Sequence, residues 1–239
     1  MDIEELRRLA AKEELSLNYI AKDEMMSKAL ATLQEFDNII LKGGTAINRV
    51  YTGNKRFSED IDMDFIFNGT VKQAIHKTKE IVSRLKEFSI SKPRIMNETI
   101  RYDLFYINPL GNKDKIRLEF RVTKKASGYN KKIVNFGFVP YPSSLLNVYS
   151  IEEMIAHKVE CILSRTEGKD FFDLFYLMEL KHKPVRLSKE KKKDIIRRIS
   201  IEEKEIKSVA NVINHYIPKN KRPSWDMFLK KLKERVEKY

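Results

Sequence analysis

A short apolar run, NIILK at residues 38–42, stops at Gly43-Gly44; a helix is expected over 45–52 and a new strand over 60–67. This strand–glycine–helix–strand order constrains the chain more than any other feature. Two glycines let the backbone turn sharply and approach a ligand closely. A helix that opens there presents unpaired N–H groups and a positive dipole end, which suit a phosphate. Thr45 adds a hydroxyl. No G-x-x-x-x-G-K-[ST] run is present, so the element is not a P-loop. Lys42, Arg49 and Arg56 are nearby cations, each taken singly read as a structural or surface residue before a catalytic one.

The strand over 60–67 alternates Asp60, Asp62 and Asp64 with Ile61, Met63 and Phe65. Side chains at i and i+2 of a strand point the same way, about 7 Å apart. Three carboxylates on one face repel one another, and a bound cation removes that penalty. Two of them can bracket a metal pair spaced about 3.5–4 Å. The alternative is an acidic strand face left in solvent. Asp60 and Asp62 are the favoured pair; Asp64 reads as a supporting or surface residue. In KIRLEFRV, over 115–122, Glu119 lies on the polar face and is the candidate third acid. Its alternative role is an ion pair with Arg117 or Arg121. Asp103 is the runner-up. A phosphate cradle joined to metal-binding carboxylates is what nucleotidyl transfer requires.

The remaining pattern predicts helices over 2–13, 17–36 and 70–88 and strands over 89–96 and 99–107. Residues 126–149, with Gly137, Pro140 and Pro142, read as the route out of the sheet. Helices are expected over 150–165, 170–182, 188–199, 201–216 and 224–238, with Pro184, Pro218 and Pro223 at the gaps. In the second helix, Leu17, Ile20, Ala21, Met25, Ala29 and Leu33 fall near helical spacing.

Composition narrows the partner class. Of the net charge of +13, residues 181–239 carry +11, from 19 Lys/Arg and 8 Asp/Glu. A polyanion such as nucleic acid suits that distribution, with a solvated lysine-rich helical surface as the alternative. The single cysteine, Cys161, excludes an intrachain disulfide, and four scattered histidines offer no zinc spacing. With no long apolar run and no signal-peptide pattern, the expectation is a cytoplasmic protein without a membrane partner.

KGGT…RFSEDID resembles the AbiEii-type abortive-infection toxins of the DNA polymerase β-like nucleotidyltransferase superfamily. The resemblance extends to Lys22-Asp23 and to HKVECILSRTEGKDFFDLFYL, through Lys158, Arg165, Asp170 and Asp173. It implies an α+β fold: a mixed sheet flanked by helices, then a C-terminal helical bundle. The expected domains are a nucleotidyltransferase domain with N-terminal helices over 1–148 and a basic helical domain over 149–239. It implies catalytic Asp60, Asp62, Glu119 and Lys158, with the three acids as metal ligands. Gly43, Gly44, Thr45, Arg56, Ser58 and Lys158 would bind the nucleotide; Asp64, Arg165, Asp170 and Asp173 are accessory candidates. Lys158 falls on an apolar helix stripe, so it either reaches a triphosphate, snorkels, or pairs with Asp173. Asp170 reads as a helix N-cap, with Asp173 at the third position. The implied activity is Mg2+- or Mn2+-dependent transfer of an NMP from an NTP to RNA, at a tRNA end, by a toxin. The implied partner is a cognate antitoxin protein or its operon DNA. Transfer to a protein acceptor and non-catalytic nucleic-acid binding are the competing readings.

Overall fold

Reciprocal capping starts the chain. In α1 (Ile3–Glu13), Asp2 accepts from the Glu5 N–H while the Glu5 carboxylate accepts from the Asp2 N–H. α2 (Leu17–Leu33) follows, and it is buried more fully than a single stripe provides. Ile20, Ala21, Ala29 and Leu33 are buried as expected, but Met26 and Leu30 join them while Leu17 and Met25 are only half-buried. Asp23, Glu24 and Ser27 are buried too. A helix enclosed on several sides has no clean amphipathic signature.

The computed structural model describes residues 1–201 and 203–239. The chain divides into two units, Met1–Tyr149 and Ser150–Tyr239. In the first unit β1 (Ile39–Lys42) leads into α3 (Gly43–Ala46), which continues as a π-helical stretch over Ile47–Thr52. Then come β2 (Asp60–Ile66), α4 (Val71–Val82), β3 (Ser89–Ile90), β4 (Arg94–Met96), β5 (Thr99–Ile107), β6 (Lys113–Thr123), β7 (Tyr129–Val134) and β8 (Ser144–Tyr149). The sheet order is β3-β5-β6-β2-β1-β8-β7, with β4 also paired to β5. β2 runs parallel to β6, and β1 parallel to β8; the other pairs are antiparallel. The expected mixed sheet with flanking helices is therefore present.

β2 divides its residues by face. Ile61, Met63 and Phe65 are fully buried, and each contributes about 1.5–3 kcal/mol on the usual area scale. Phe65 and Tyr102 both meet Phe120 edge-on, and the Tyr102 hydroxyl bonds to Thr78 of α4 at 2.9 Å. This anchoring leaves the aspartates on the opposite face.

Three expectations need correction. Residues 126–149 do not leave the sheet but supply β7 and β8. The prolines and Gly137 sit in the connection between these strands. Lys131 and Lys132 place charge on an edge strand, which hides its pattern. The segment 89–96 is two short strands, because Pro93 between them has no N–H to donate. The helix expected over 70–88 ends at Val82, after which Leu85 and Phe88 are buried from a turn.

The second unit contains α5 (Ile151–Ser164), α6 (Gly168–Leu177), α7 (Lys189–Ile199), α8 (Glu203–Asn214) and α9 (Trp225–Lys238). Position 202, within the helix expected over 201–216, lies outside the described residues. An aromatic cluster joins α6 to α9. Phe172 stacks on Phe228 at 5.8 Å, and Trp225 meets Phe228 at 5.2 Å. Among the described residues no helix is long and apolar enough to cross a membrane.

Candidate active site

Gly43 adopts φ +68°, a left-handed conformation that a side chain disfavours. A methyl group there would collide with the Asp62 carboxylate. One on Gly44 would fall 2.5 Å from the Arg56 guanidinium and 2.6 Å from Ser58 Oγ. The two bare glycines are therefore enclosed by Asp62, Arg56 and Ser58, which the sequence separates from them by 12 to 19 positions. The Thr45 hydroxyl is engaged within the protein. It is fully buried and donates to the Asp60 carbonyl at 2.5 Å, pinning α3 to β2.

The acids differ in environment. Asp60 and Asp62 are half-buried on one strand face. Arg117, the register partner of Asp60 on β6, reaches its carboxylate at 3.3 Å. Glu119 is the register partner of Asp62 but is bound by Arg101 of β5 at 2.7 Å, rather than by Arg117 or Arg121. Asp64 is fully enclosed, not a surface residue. It accepts from Lys42 at 2.5 Å, from Arg121 at 2.5 and 2.9 Å, and from the Tyr149 hydroxyl at 2.6 Å. Burial alone would raise its pKa; hydrogen bonds from Arg121, the nearby Lys42 charge and Tyr149 outweigh that and hold it below the usual carboxylate value. Asp103 lies across β6 from Asp60, opposite Arg117, and is bound by Arg94 and by Lys115 at 3.0 Å. It does not join the other acids.

Among the described residues no three acidic, histidine or cysteine side chains already form a metal-ligand group. The donor chemistry still fits a hard divalent cation: Asp60, Asp62 and Glu119 offer only carboxylate oxygens from adjacent register positions. Arginine charge balances two of them, Arg117 at Asp60 and Arg101 at Glu119, as a metal ion would.

Arg49 and Asp23 have a structural role. The buried Asp23 carboxylate accepts from Arg49 at 2.8 Å and from the Phe138 and Val139 N–H groups at 2.7 and 2.9 Å. A methyl group on Gly137 would overlap it. Lys22 points elsewhere, to Asp114 at 3.3 Å and Glu59 at 4.0 Å.

Within the second unit, Lys158 is buried and lies 2.8 Å from both Asp170 and Asp173. Arg165 adds a bond to Asp170 at 2.8 Å. Lys158 and Arg165 thus face Asp170 and Asp173, and Glu167 also lies 3.3 Å from Arg165. Asp170 does not cap α6; the cap position is Glu167, and Asp170 lies in the first turn. Burial would raise the Asp170 pKa, but the Lys158 charge and Arg165 hydrogen bonds hold it below the ordinary value.

Sequence reasoning misses Arg101 and Tyr149. Arg101 shares the polar face of β5, but only the β5–β6 register brings it to Glu119. Tyr149 carries no local signal, because its strand does not stand out in the residue pattern.

A family model described as nucleotidyl transferase AbiEii toxin, type IV toxin–antitoxin system, matches residues 25–238. MenT4, a nucleotidyltransferase toxin from Mycobacterium tuberculosis H37Rv, is similar with a TM-score of 0.66 at 14% identity, over 100% of this chain and 90% of that one. A provisionally assigned nucleotidyltransferase from H. pylori gives 0.55 at 18% identity, over 94% and 98% of the two chains. An antigenic nucleotidyltransferase-like protein from Paracoccidioides brasiliensis gives 0.52 at 14%, over 82% and 94%. At these identities the solved structures establish a shared fold. A search of curated proteins found no match.

Proposed function

We propose a function from one premise: the chain belongs to the AbiEii family of nucleotidyltransferase toxins of type IV toxin–antitoxin systems. It is a nucleotidyltransferase, and its family implies an NTP substrate and an antitoxin as counterpart. Its reaction is transfer of an NMP to RNA, at a tRNA end. One observation carries this reading: the Asp62 carboxylate lies against Gly43, where the glycine-opened helix begins, with Arg56 and Ser58 over Gly44.

The NTP phosphates rest on the backbone N–H groups of Gly43 and Gly44. Arg56 balances their charge and the Ser58 hydroxyl donates to an oxygen; Thr45 holds the helix to the strand. The acceptor oxygen attacks the α-phosphorus in line. One O–P bond forms as the bond to pyrophosphate breaks, and the hydroxyl proton leaves to Glu119 once Arg101 releases it. Asp60 and Asp62, supported by Glu119, would hold Mg2+ or Mn2+, which would supply charge neutralisation at the phosphates and a lowered acceptor pKa. Within the second unit, Lys158 is held by Asp170 and Asp173, and Arg165 shares Asp170. Exposed Lys189, Lys191, Lys193 and Arg197 of α7 support an RNA grip through phosphate contacts. The antitoxin is met as a protein or through its operon DNA.

The test is incubation with Mg2+, each α-labelled NTP, total cellular RNA and cell protein. Label entering RNA with the wild type and not with Asp60→Ala is the expected result. Label entering protein alone would replace the acceptor. No labelling, with toxicity retained by a folded Asp60→Ala variant, would make the chain a binding module.

A further inference from the structure

Asp60, Arg117 and Asp103 stand abreast on one face of the sheet. Arg117 of β6 is the register partner of Asp60 on β2 and also of Asp103 on β5. Neighbouring strands lie about 4.7–4.9 Å apart, and register partners point to the same face. The Arg117 guanidinium therefore has a carboxylate on either side, both within reach of its long side chain.

Its hold on Asp60 is loose. Arg121 meets Asp64 at 2.5 Å and Arg101 meets Glu119 at 2.7 Å, whereas Arg117 meets Asp60 through one nitrogen at 3.3 Å. Charge-assisted pairs are ordinarily about 2.7–2.9 Å long. The Arg117 side chain is 41% exposed, so water weakens the pair further.

Asp103 is the opposite case. It is buried, and Ser91 fixes its backbone: Ser91 Oγ accepts from the Asp103 N–H at 2.9 Å, and the Ser91 N–H donates to the Asp103 carbonyl at 3.0 Å. Arg94 and Lys115, both about half exposed, bond to the same oxygen, Oδ2. The other oxygen, Oδ1, is enclosed and accepts no hydrogen bond from the described residues. A buried acceptor left unpaired is costly, and an arginine has donors to spare.

A divalent cation on Asp60 repels the guanidinium beside it. We propose that Arg117 then swings across β6 to Asp103 Oδ1, which makes Asp103 a positioning residue for metal entry and not a ligand. One side-chain movement frees Asp60 for the metal and gives the orphaned oxygen a donor. The proposal rests on the reading of Asp60 as a metal ligand.

The test reads Mn2+ binding to the full chain by electron paramagnetic resonance, without NTP. Arg117→Gln removes the competitor and is expected to tighten binding about threefold, the scale of a half-exposed ion pair. Asp103→Asn is expected to weaken binding about threefold, and to change it by less than about 1.5-fold when Arg117→Gln is already present. Equal weakening in both backgrounds would overturn the proposal, since a field effect needs no Arg117; so would no weakening in either. A second measurement needs no change at Asp103. The Arg117 Nε–H resonance, identified by its loss in Arg117→Gln, should exchange with water more slowly at saturating Mg2+, as the guanidinium moves to an enclosed oxygen. Faster exchange would mean release to solvent, and unaltered exchange would mean no movement; either overturns the proposal. A wild type that binds no Mn2+ would overturn the metal reading itself, and this inference with it.

Discussion

The Tyr149 hydroxyl donates to Asp64 at 2.6 Å, joining positions 85 apart and completing a shell that also contains Lys42 and Arg121. Two residues earlier on the same strand face, Asp62 is half-buried and lies close against Gly43. One repeated dipeptide pattern thus yields an enclosed structural carboxylate and a half-buried one set against the glycine turn.

Asp64→Asn should destabilise the protein by about 3–5 kcal/mol, because Lys42 and Arg121 lose a buried counter-charge. Asp60→Asn should change stability by less than about 1 kcal/mol, since its ion pair with Arg117 is half-exposed, yet lower transfer at least a hundredfold, on the order of the electrostatic help a metal ligand provides. Urea denaturation and a labelled-NTP assay separate the two.

Stability should fall in acid. Asp64 and Asp170 both have folded pKa values held below the ordinary aspartate value by their cationic partners. Their contribution is therefore complete above the unfolded pKa, and it is lost as pH drops through the folded one. Denaturation midpoints measured downward from pH 6 should decline below about pH 4, and Asp64→Asn should flatten that decline.

Gly43→Ala should cost about 1–2 kcal/mol in backbone strain and displace Asp62, weakening NTP binding about tenfold. Gly53→Ala is the control. It has φ +66° with open space around it, so it should show the strain and keep the NTP affinity.

Lys158→Met leaves two buried carboxylates short of a cation and should cost about 3–5 kcal/mol. Adding Asp173→Asn should recover part of that loss, a coupling of about 0.5–3 kcal/mol in a double-mutant cycle. Additive losses would remove the coupling.

Arg101→Gln should free Glu119 and tighten Mn2+ binding severalfold, read by electron paramagnetic resonance. Asp62→Asn should weaken it. Identical titrations for both variants and the wild type would separate these acids from metal binding.

The strand–glycine–helix–strand order was legible because each element carries a local cause: a short apolar run, a glycine pair, then strict alternation of aspartate with apolar residues. Asp60 and Asp62 followed from that alternation. What escaped depended on register. Glu119 and Arg101 meet only because β5 and β6 pair as they do. The N-cap reading of Asp170 failed because the helix begins two residues earlier and Lys158 draws the carboxylate inward. Tyr149 escaped because β8 carries Asn147 between Leu146 and Val148. The Asn147 amide donates to the Asp37 carbonyl instead of marking a turn.

The family match begins at residue 25, and Asp23 lies just outside it. A recombinant fragment trimmed to that border would discard the acceptor for Phe138 and Val139 and the anion facing Arg49. The recognisable segment is thus shorter than the foldable one. Soluble, active protein should require α2 to be retained whole, however little of it the homologous motif includes.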